Sequence, residues 1–277
     1  MKKIIAAFDG LKYSDSTEKY VLEIAKKYNV RIFGVFLEDF TYHSYKLSDM
    51  IVDDDVDTVK AEYLRKFDVD TRENAVKIFN QRCADAGVMH STHRDRNIAI
   101  QELTHESVFA DLLVIQNNET FAHYSEETPT NFISNLLERT ECPVMIVPPI
   151  YKKPSKTIFL YDGEPSSIYA MKMYAYLFPD ENLRAELVTV QRNQEDKVVP
   201  DGHILKEWLK LNFPQTQFKV LTGDPNEEIS NYLREQVENV VVIMGAYGRG
   251  GISRMIHRSL ADILIRKLDT PLFIAHK

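Results

Sequence analysis

The sequence predicts an α/β chain of two tandem doubly wound parallel sheets, forming an internal pseudo-dimer. Three observations predict it. The two halves repeat one another, apolar strands alternate with helix-length segments, and a glycine-rich loop follows one of the most apolar strands.

The repeat is visible at both ends of each half. Lys3-Ile4-Ile5-Ala6-Ala7-Phe8-Asp9-Gly10 returns as Lys156-Thr157-Ile158-Phe159-Leu160-Tyr161-Asp162-Gly163. Asp111-Leu112-Leu113-Val114-Ile115 returns as Val240-Val241-Val242-Ile243-Met244, and Cys142-Pro143-Val144-Met145-Ile146-Val147 as Thr270-Pro271-Leu272-Phe273-Ile274-Ala275. The ends align and the middle does not, so the first half carries an insertion of about two dozen residues. It falls between Glu38 and Ala75, around 39–75, where Asp53-Asp54-Asp55 and other polar residues occur. The expected domains are 1–150 and 156–277, with Tyr151 to Ser155 as the linker around Pro154.

The second half gives the element order most clearly. A strand at 157–161 leads to a helix at 165–177, a strand at 185–190 and a helix at 201–211. A strand at 216–221 precedes a helix at 225–237, then a strand at 240–244, a helix at 258–267 and a last strand at 271–275. Continuous apolar strands suit a parallel sheet covered by helices on both faces. The terminal strands, 143–147 and 271–275, would leave open edges unless they pair, which predicts a pseudo-dimer joined through them. Ser14, Ser16, Ser166 and Ser167 follow the Asp-Gly turns and are expected as helix N-caps.

Gly245-Ala246-Tyr247-Gly248-Arg249-Gly250-Gly251-Ile252-Ser253 holds four of the chain's 10 glycines and follows the strand at 240–244. Glycine lets backbone approach an anion closely, and N–H groups at the loop and helix start point toward it. Ligands of such sheets bind beyond the carboxyl ends of the strands, where Asp162 and Gly245 both fall.

Bulk composition narrows the function. A net charge of −7 and a pI near 5.7 argue against nucleic-acid binding, which needs a basic face. No run approaches the roughly 18 apolar residues of a membrane span. Cys83 and Cys142 offer neither a disulfide framework nor metal spacing, and point to the reducing cytoplasm. Residues 154–277 carry 15 basic and 16 acidic residues, against 19 and 25 elsewhere, so the half with the glycine loop repels an anion less.

The motif set resembles the universal stress protein family. The resemblance rests on Asp162-Gly163, the Gly223-Asp224-Pro225 turn, Gly245 and Gly248, and the Pro271-Leu272-Phe273-Ile274 strand, and extends over the chain as a tandem pair. It implies Rossmann-like or flavodoxin-like halves and, in nucleotide-binding members, a pocket for ATP or a related adenine nucleotide, with Mg only as the nucleotide's companion. By carry-over, Asp162 lies near the adenosine and Val190 against the adenine. Met244, Gly245 and Gly248 line the phosphates, and Ser259 and Leu260 close the site. Arg249, with Arg254, His257 and Arg258, either neutralises phosphate or forms a solvated surface. Arg258 stands where the family pattern has glycine, so its guanidinium either fills the phosphate space or contacts it. Some members bind no nucleotide, which leaves a scaffold as the alternative function.

The first half departs further. Gln116-Asn117-Asn118-Glu119-Thr120-Phe121-Ala122 aligns with the loop without a glycine, Glu119 falls at the Gly248 position, and Arg94-Asp95-Arg96 replaces Gly-Asp-Pro. This half is expected to be a structural copy with a degenerate site. His90, His93, His105 and His123 lack metal spacing, and neither a Gly-x-Ser-x-Gly elbow nor a P-loop is present. No general base or metal-binding carboxylate pair is evident, which leaves at most weak ATP hydrolysis. Phe40, Tyr42 and Tyr45 are expected either to cover the pocket or to form an interface. Protein partners stay open, a homodimer among them.

Overall fold

The computed structural model describes residues 1–37, 43–45, 51–52, 55–56, 58–95, 98–122, 125–179, 183–192, 199–246 and 253–276. For 51–52, 55–56, 95 and 253–259 it describes the backbone alone.

The first half runs β1 (Lys3–Asp9), α1 (Asp15–Tyr28), β2 (Arg31–Leu37), a small hairpin of β3 (Ile51–Val52) and β4 (Asp55–Val56), α2 (Thr58–Asp85), β5 (His90–Asp95), α3 (Ala99–Ser107), β6 (Leu112–Gln116), α4 (Asn131–Arg139) and β7 (Val144–Val147). The second runs β8 (Lys156–Leu160), α5 (Pro165–Leu177), β9 (Arg184–Gln191), α6 (Gly202–Asn212), β10 (Gln217–Thr222), α7 (Pro225–Arg234), β11 (Val240–Gly245), α8 (Ser253–Lys267) and β12 (Leu272–Ala275).

These strands form one ten-stranded sheet in the order β10-β9-β8-β11-β12-β7-β6-β1-β2-β5. Every pair in it is parallel except β12 with β7, where Phe273 faces Met145 across an antiparallel seam. The expected pseudo-dimer through the last strands is therefore present. Each half has its first strand beside its fourth, which makes a topological switch point at β8/β11 and another at β1/β6.

Strand alternation divides the core into two layers. Ile4, Ala6 and Phe8 face one side with Phe159, Phe273 and the inner faces of α1, α2, α5 and α6. Ile5 and Ala7 face the other with Ile158, Val242 and the inner faces of α3, α4, α7 and α8. Both layers run unbroken across the seam, so each half covers apolar surface of the other.

Helix ends follow their local chemistry. Ser14 caps α1, its Oγ accepting from Thr17 N at 3.0 Å, and Asn29 closes it in the left-handed region at φ 51°. The other expected serine caps are corrected. Ser16 Oγ donates to the Pro148 carbonyl at 2.6 Å, and α5 starts at Pro165 behind Glu164, so Ser166 and Ser167 lie inside its first turn. Proline at the first helical position needs no N–H, and it sets the start without a side-chain cap. α8 begins at Ser253 rather than 258, and α7 ends at Arg234 rather than 237. α2 starts inside 39–75 and runs on to Asp85, with 28 residues where its counterpart α6 has 11. Tyr45 is buried against Ala61 and Leu64 of this region, so it covers α2, not the second-half cleft. Phe40, Tyr42, Asp53 and Asp54 lie outside the described residues.

Candidate nucleotide site

The switch point between β8 and β11 opens into a cleft of about 350 Å³. Five of the eight residues singled out from the sequence line it: Asp162, Val190, Met244, Gly245 and Leu260. They come from four elements and meet because β8, β9 and β11 end side by side while α8 crosses behind them. Gly248 and Arg249 lie outside the described residues, and the side chains of Ser259 and Arg258 do too.

Asp162 follows β8 and accepts from Glu164 N at 2.9 Å, a tight turn that carries the chain into α5. Asp9 makes the same turn in the first half, accepting from Leu11 N at 2.8 Å. The two carboxylates differ in setting: Asp9 is 1% exposed, whereas Asp162 is exposed at the cleft mouth.

The Gly223-Asp224-Pro225 turn builds another wall. Gly223 has φ 141°, a region closed to most side chains. Asp224 then caps α7, its Oδ1 accepting from Asn226 N at 2.9 Å and Glu227 N at 3.2 Å. This places Pro225 and Asn226 on the cleft wall. The corresponding helix of the first half, α3, follows Ile98 with no side-chain cap. The N-terminal turns of α5 and α7 thus border one cleft, and their N–H dipoles favour an anion there.

The sequence reading missed several lining residues, among them Arg192, Asn226 and Ile229. Asn226 Oδ1 is buried and has no hydrogen-bond partner among the described residues. A buried acceptor left so is costly unless a ligand or water supplies a donor. Arg192 brings a cation to a wall that also carries Asp162 and Glu164. Tyr161 donates from its hydroxyl to the Pro200 carbonyl at 3.1 Å, and burial, with Asp201 and Asp162 nearby, raises its pKa above the usual phenol value.

The matching crevice of the first half is filled by its own chain. Asn117, Glu119 and Phe121 are all buried there. Phe121 takes φ 50° and its ring packs 4.4 Å from that of Phe132. Thr130 donates to the Glu119 carbonyl while capping α4 through Ile133 N. Burial first, and then the negative charge of Asp9, holds the Glu119 carboxyl well above the usual carboxylate range, against an opposing pull from Lys12.

Cys83 and Cys142 are free and buried, and no group of three or more His, Cys, Asp or Glu side chains fit to hold a metal occurs among the described residues. His93 pairs with Glu106 at 2.6 Å, and His90 with the Val88 carbonyl at 3.0 Å. No helix of the described residues is long and apolar enough to cross a membrane.

One sheet with two switch points, its halves joined through their last strands and one of them keeping an open cleft, defines the class of fold. Residues 155–276 match the model of the Universal stress protein family. The chain is 19% identical over 284 residues to Universal stress protein Slr1230 of Synechocystis sp., covering 98% of each chain. A universal stress protein from Archaeoglobus fulgidus DSM 4304 superposes with a TM-score of 0.70 at 15% identity, covering 99% of this chain and 98% of that one. A putative universal stress protein from Pseudomonas aeruginosa UCBPP-PA14 gives a TM-score of 0.62 at 13% identity, covering 100% and 93%. Residues 155–276 thus carry the family's domain, and over its full length the chain is similar to universal stress proteins.

Proposed function

We propose that this chain is a stress-response regulatory protein that binds an adenine nucleotide of ATP type in the cleft between β8, β9 and β11. The observation that carries the reading is the convergence of Asp162, Val190, Met244, Gly245 and Leu260 on one cleft of about 350 Å³. That volume is within the range of roughly 300–1,000 Å³ usual for small-molecule sites.

The parts suit the ligand's chemistry. Val190, Ile229 and Leu260 offer apolar surface to a purine. The unpartnered Asn226 Oδ1 can accept from the adenine amino group or a ribose hydroxyl. Asp162, exposed at the mouth, can accept from the ribose. The starts of α5 and α7 and the Arg192 guanidinium supply positive potential for phosphates. Gly248, Arg249 and Ser259 complete the phosphate end of the proposal. Any Mg would arrive on the phosphates, and no catalytic step is assigned to the cleft.

Calorimetric titration with ATP, ADP and AMP tests the proposal. Binding of at least one, lost in Val190→Trp, is the expected result. No heat from any of the three at millimolar concentration sinks it. The other reading is a scaffold of the same family that binds no nucleotide, favoured by the acidic pair Asp162 and Glu164 on the cleft wall.

A further inference from the structure

A larger cavity, about 490 Å³, lies at the seam on the face of the sheet covered by α1 and α5. It is independent of the proposed nucleotide cleft and shares no lining residue with it. Its floor is Met145 of β7, Val241 of β11 and Pro271. Ile24 and Tyr28 of α1 form one wall, and Tyr174 of α5 with Phe178 at its C-terminal end the other.

The walls are held in place by ring contacts, one of them between the two halves. Tyr28 meets Phe178 edge-on at 5.6 Å, and Phe178 packs 4.7 Å from Tyr174. Tyr20 meets Tyr151 of the inter-half segment edge-on at 4.7 Å. The Tyr20 hydroxyl is engaged by the Lys152 carbonyl at 3.0 Å, so this wall presents its ring to the cavity. Such an interior favours apolar ligand surface.

The rim has the opposite character. Lys26, Lys27 and Lys153 stand there with a single carboxylate, Glu23, which pairs with Lys153 at 3.2 Å. The Lys27 ammonium lies 5.2 Å from the centroid of the Tyr28 ring. The rim is thus cationic on a chain whose net charge is −7. An apolar interior under a cationic rim is complementary to an amphipathic anion. Its hydrocarbon or aromatic body would lie between α1 and α5, and its one charged head would remain at the lysines. A polyanionic nucleotide does not suit the interior, because its charges would lose water with few partners inside.

We propose that the seam cavity binds an amphipathic organic monoanion, of the kind represented by a medium-chain carboxylate. Because the ligand would touch both α1 and α5, it would bridge the two halves and stabilise their pairing.

The test is calorimetric titration of the full chain with dodecanoate below its micelle concentration, beside dodecanol and dodecyltrimethylammonium. One dodecanoate per chain is expected, bound at least about tenfold more tightly than the ammonium analogue. The double variant Lys26→Gln/Lys153→Gln should weaken dodecanoate by about tenfold and leave dodecanol unchanged. Leu183 also lines the cavity; Ile24→Trp and, separately, Leu183→Trp should fill it and abolish dodecanoate binding, with ATP titration unaltered. Absence of dodecanoate binding overturns the proposal, as does equal binding of the ammonium analogue or retention of dodecanoate by either folded tryptophan variant. Sedimentation of the ligand-free chain supplies a further check. A dimer that Leu183→Trp dissociates would assign this face to a second copy and overturn the proposal.

Discussion

The carbonyl oxygen of Ser166 stands 2.4 Å from where a Cβ on Gly245 would be built, with Ser167 N at 2.8 Å. The first turn of α5 therefore touches the end of β11 at a distance only glycine allows. This gives Gly245 a packing role whether or not phosphate lies nearby. Gly245→Ala must push α5 away from the sheet, because the obstructing atoms are backbone. The expected cost is about 1–3 kcal/mol, measured as a lower denaturation midpoint in urea with an unchanged slope. An unaltered midpoint would show that α5 yields freely.

The glycine shows how far the sequence could be read. Its strand, Val240–Met244, was legible because a sheet covered on both faces demands a continuous apolar run. The helix over 165–177 was legible because Pro165 marks a start and alternating elements mark the rest. Gly245 was legible as special, but the Ser166 contact was not, since it depends on how α5 docks. The start of α8 was placed late because Ser253–Arg258 carry no apolar period. Asp162, Val190 and Leu260 were found through the family pattern. Asn226, Arg192 and Ile229 belong to no motif and reach the cleft through the tertiary fold alone. The long α2 hid for another reason: Val59, Tyr63 and Phe67 are exposed apolar residues on it, which blurs the amphipathic stripe that would announce it.

Asn226 separates binding from folding. The α7 cap uses its backbone N–H, received by Asp224 Oδ1 at 2.9 Å, and leaves the side-chain Oδ1 without a partner. Asn226→Leu should therefore keep α7 capped and remove a buried, unsatisfied acceptor. The expected outcome is unchanged or slightly higher thermal stability with ATP affinity reduced about tenfold, or roughly 1.4 kcal/mol. Asp224→Ala should do the reverse in part, costing about 1 kcal/mol of stability through the lost cap. Differential scanning fluorimetry with and without ATP reads both. Loss of stability in Asn226→Leu with affinity intact would contradict the assignment.

Glu119 should make stability depend on pH. Burial, reinforced by Asp9, raises its pKa in the folded chain. In the unfolded chain a glutamate titrates near about 4.3. Above that value the unfolded state has lost the proton while the folded state still holds it, so stability falls as pH rises, until the folded site itself ionises. Glu119→Gln carries no such penalty and should flatten this part of the profile. Its Tm should exceed that of the parent by a few degrees at pH 8, at roughly 2–4 °C for each kcal/mol, and converge with it near pH 4. An equal shift at both pH values would mean that packing, not ionisation, is responsible.

The seam should make the two halves one cooperative unit. Phe273 is fully buried on β12, faces Met145 of β7 across the antiparallel pairing, and meets Tyr174 of α5 and Phe178 just after it at ring distances of 5.3 and 6.0 Å. The same core layer continues through Met145 into Phe8 and Phe79 of the first half. Phe273→Ala leaves a hole at the centre of that layer and should cost about 3–5 kcal/mol. Because neither half can keep its inner layer covered without the other, the loss should appear as a single calorimetric transition displaced as a whole. Two transitions, with only one of them moved by the substitution, would show that the halves unfold independently and that the seam transmits no stability between them.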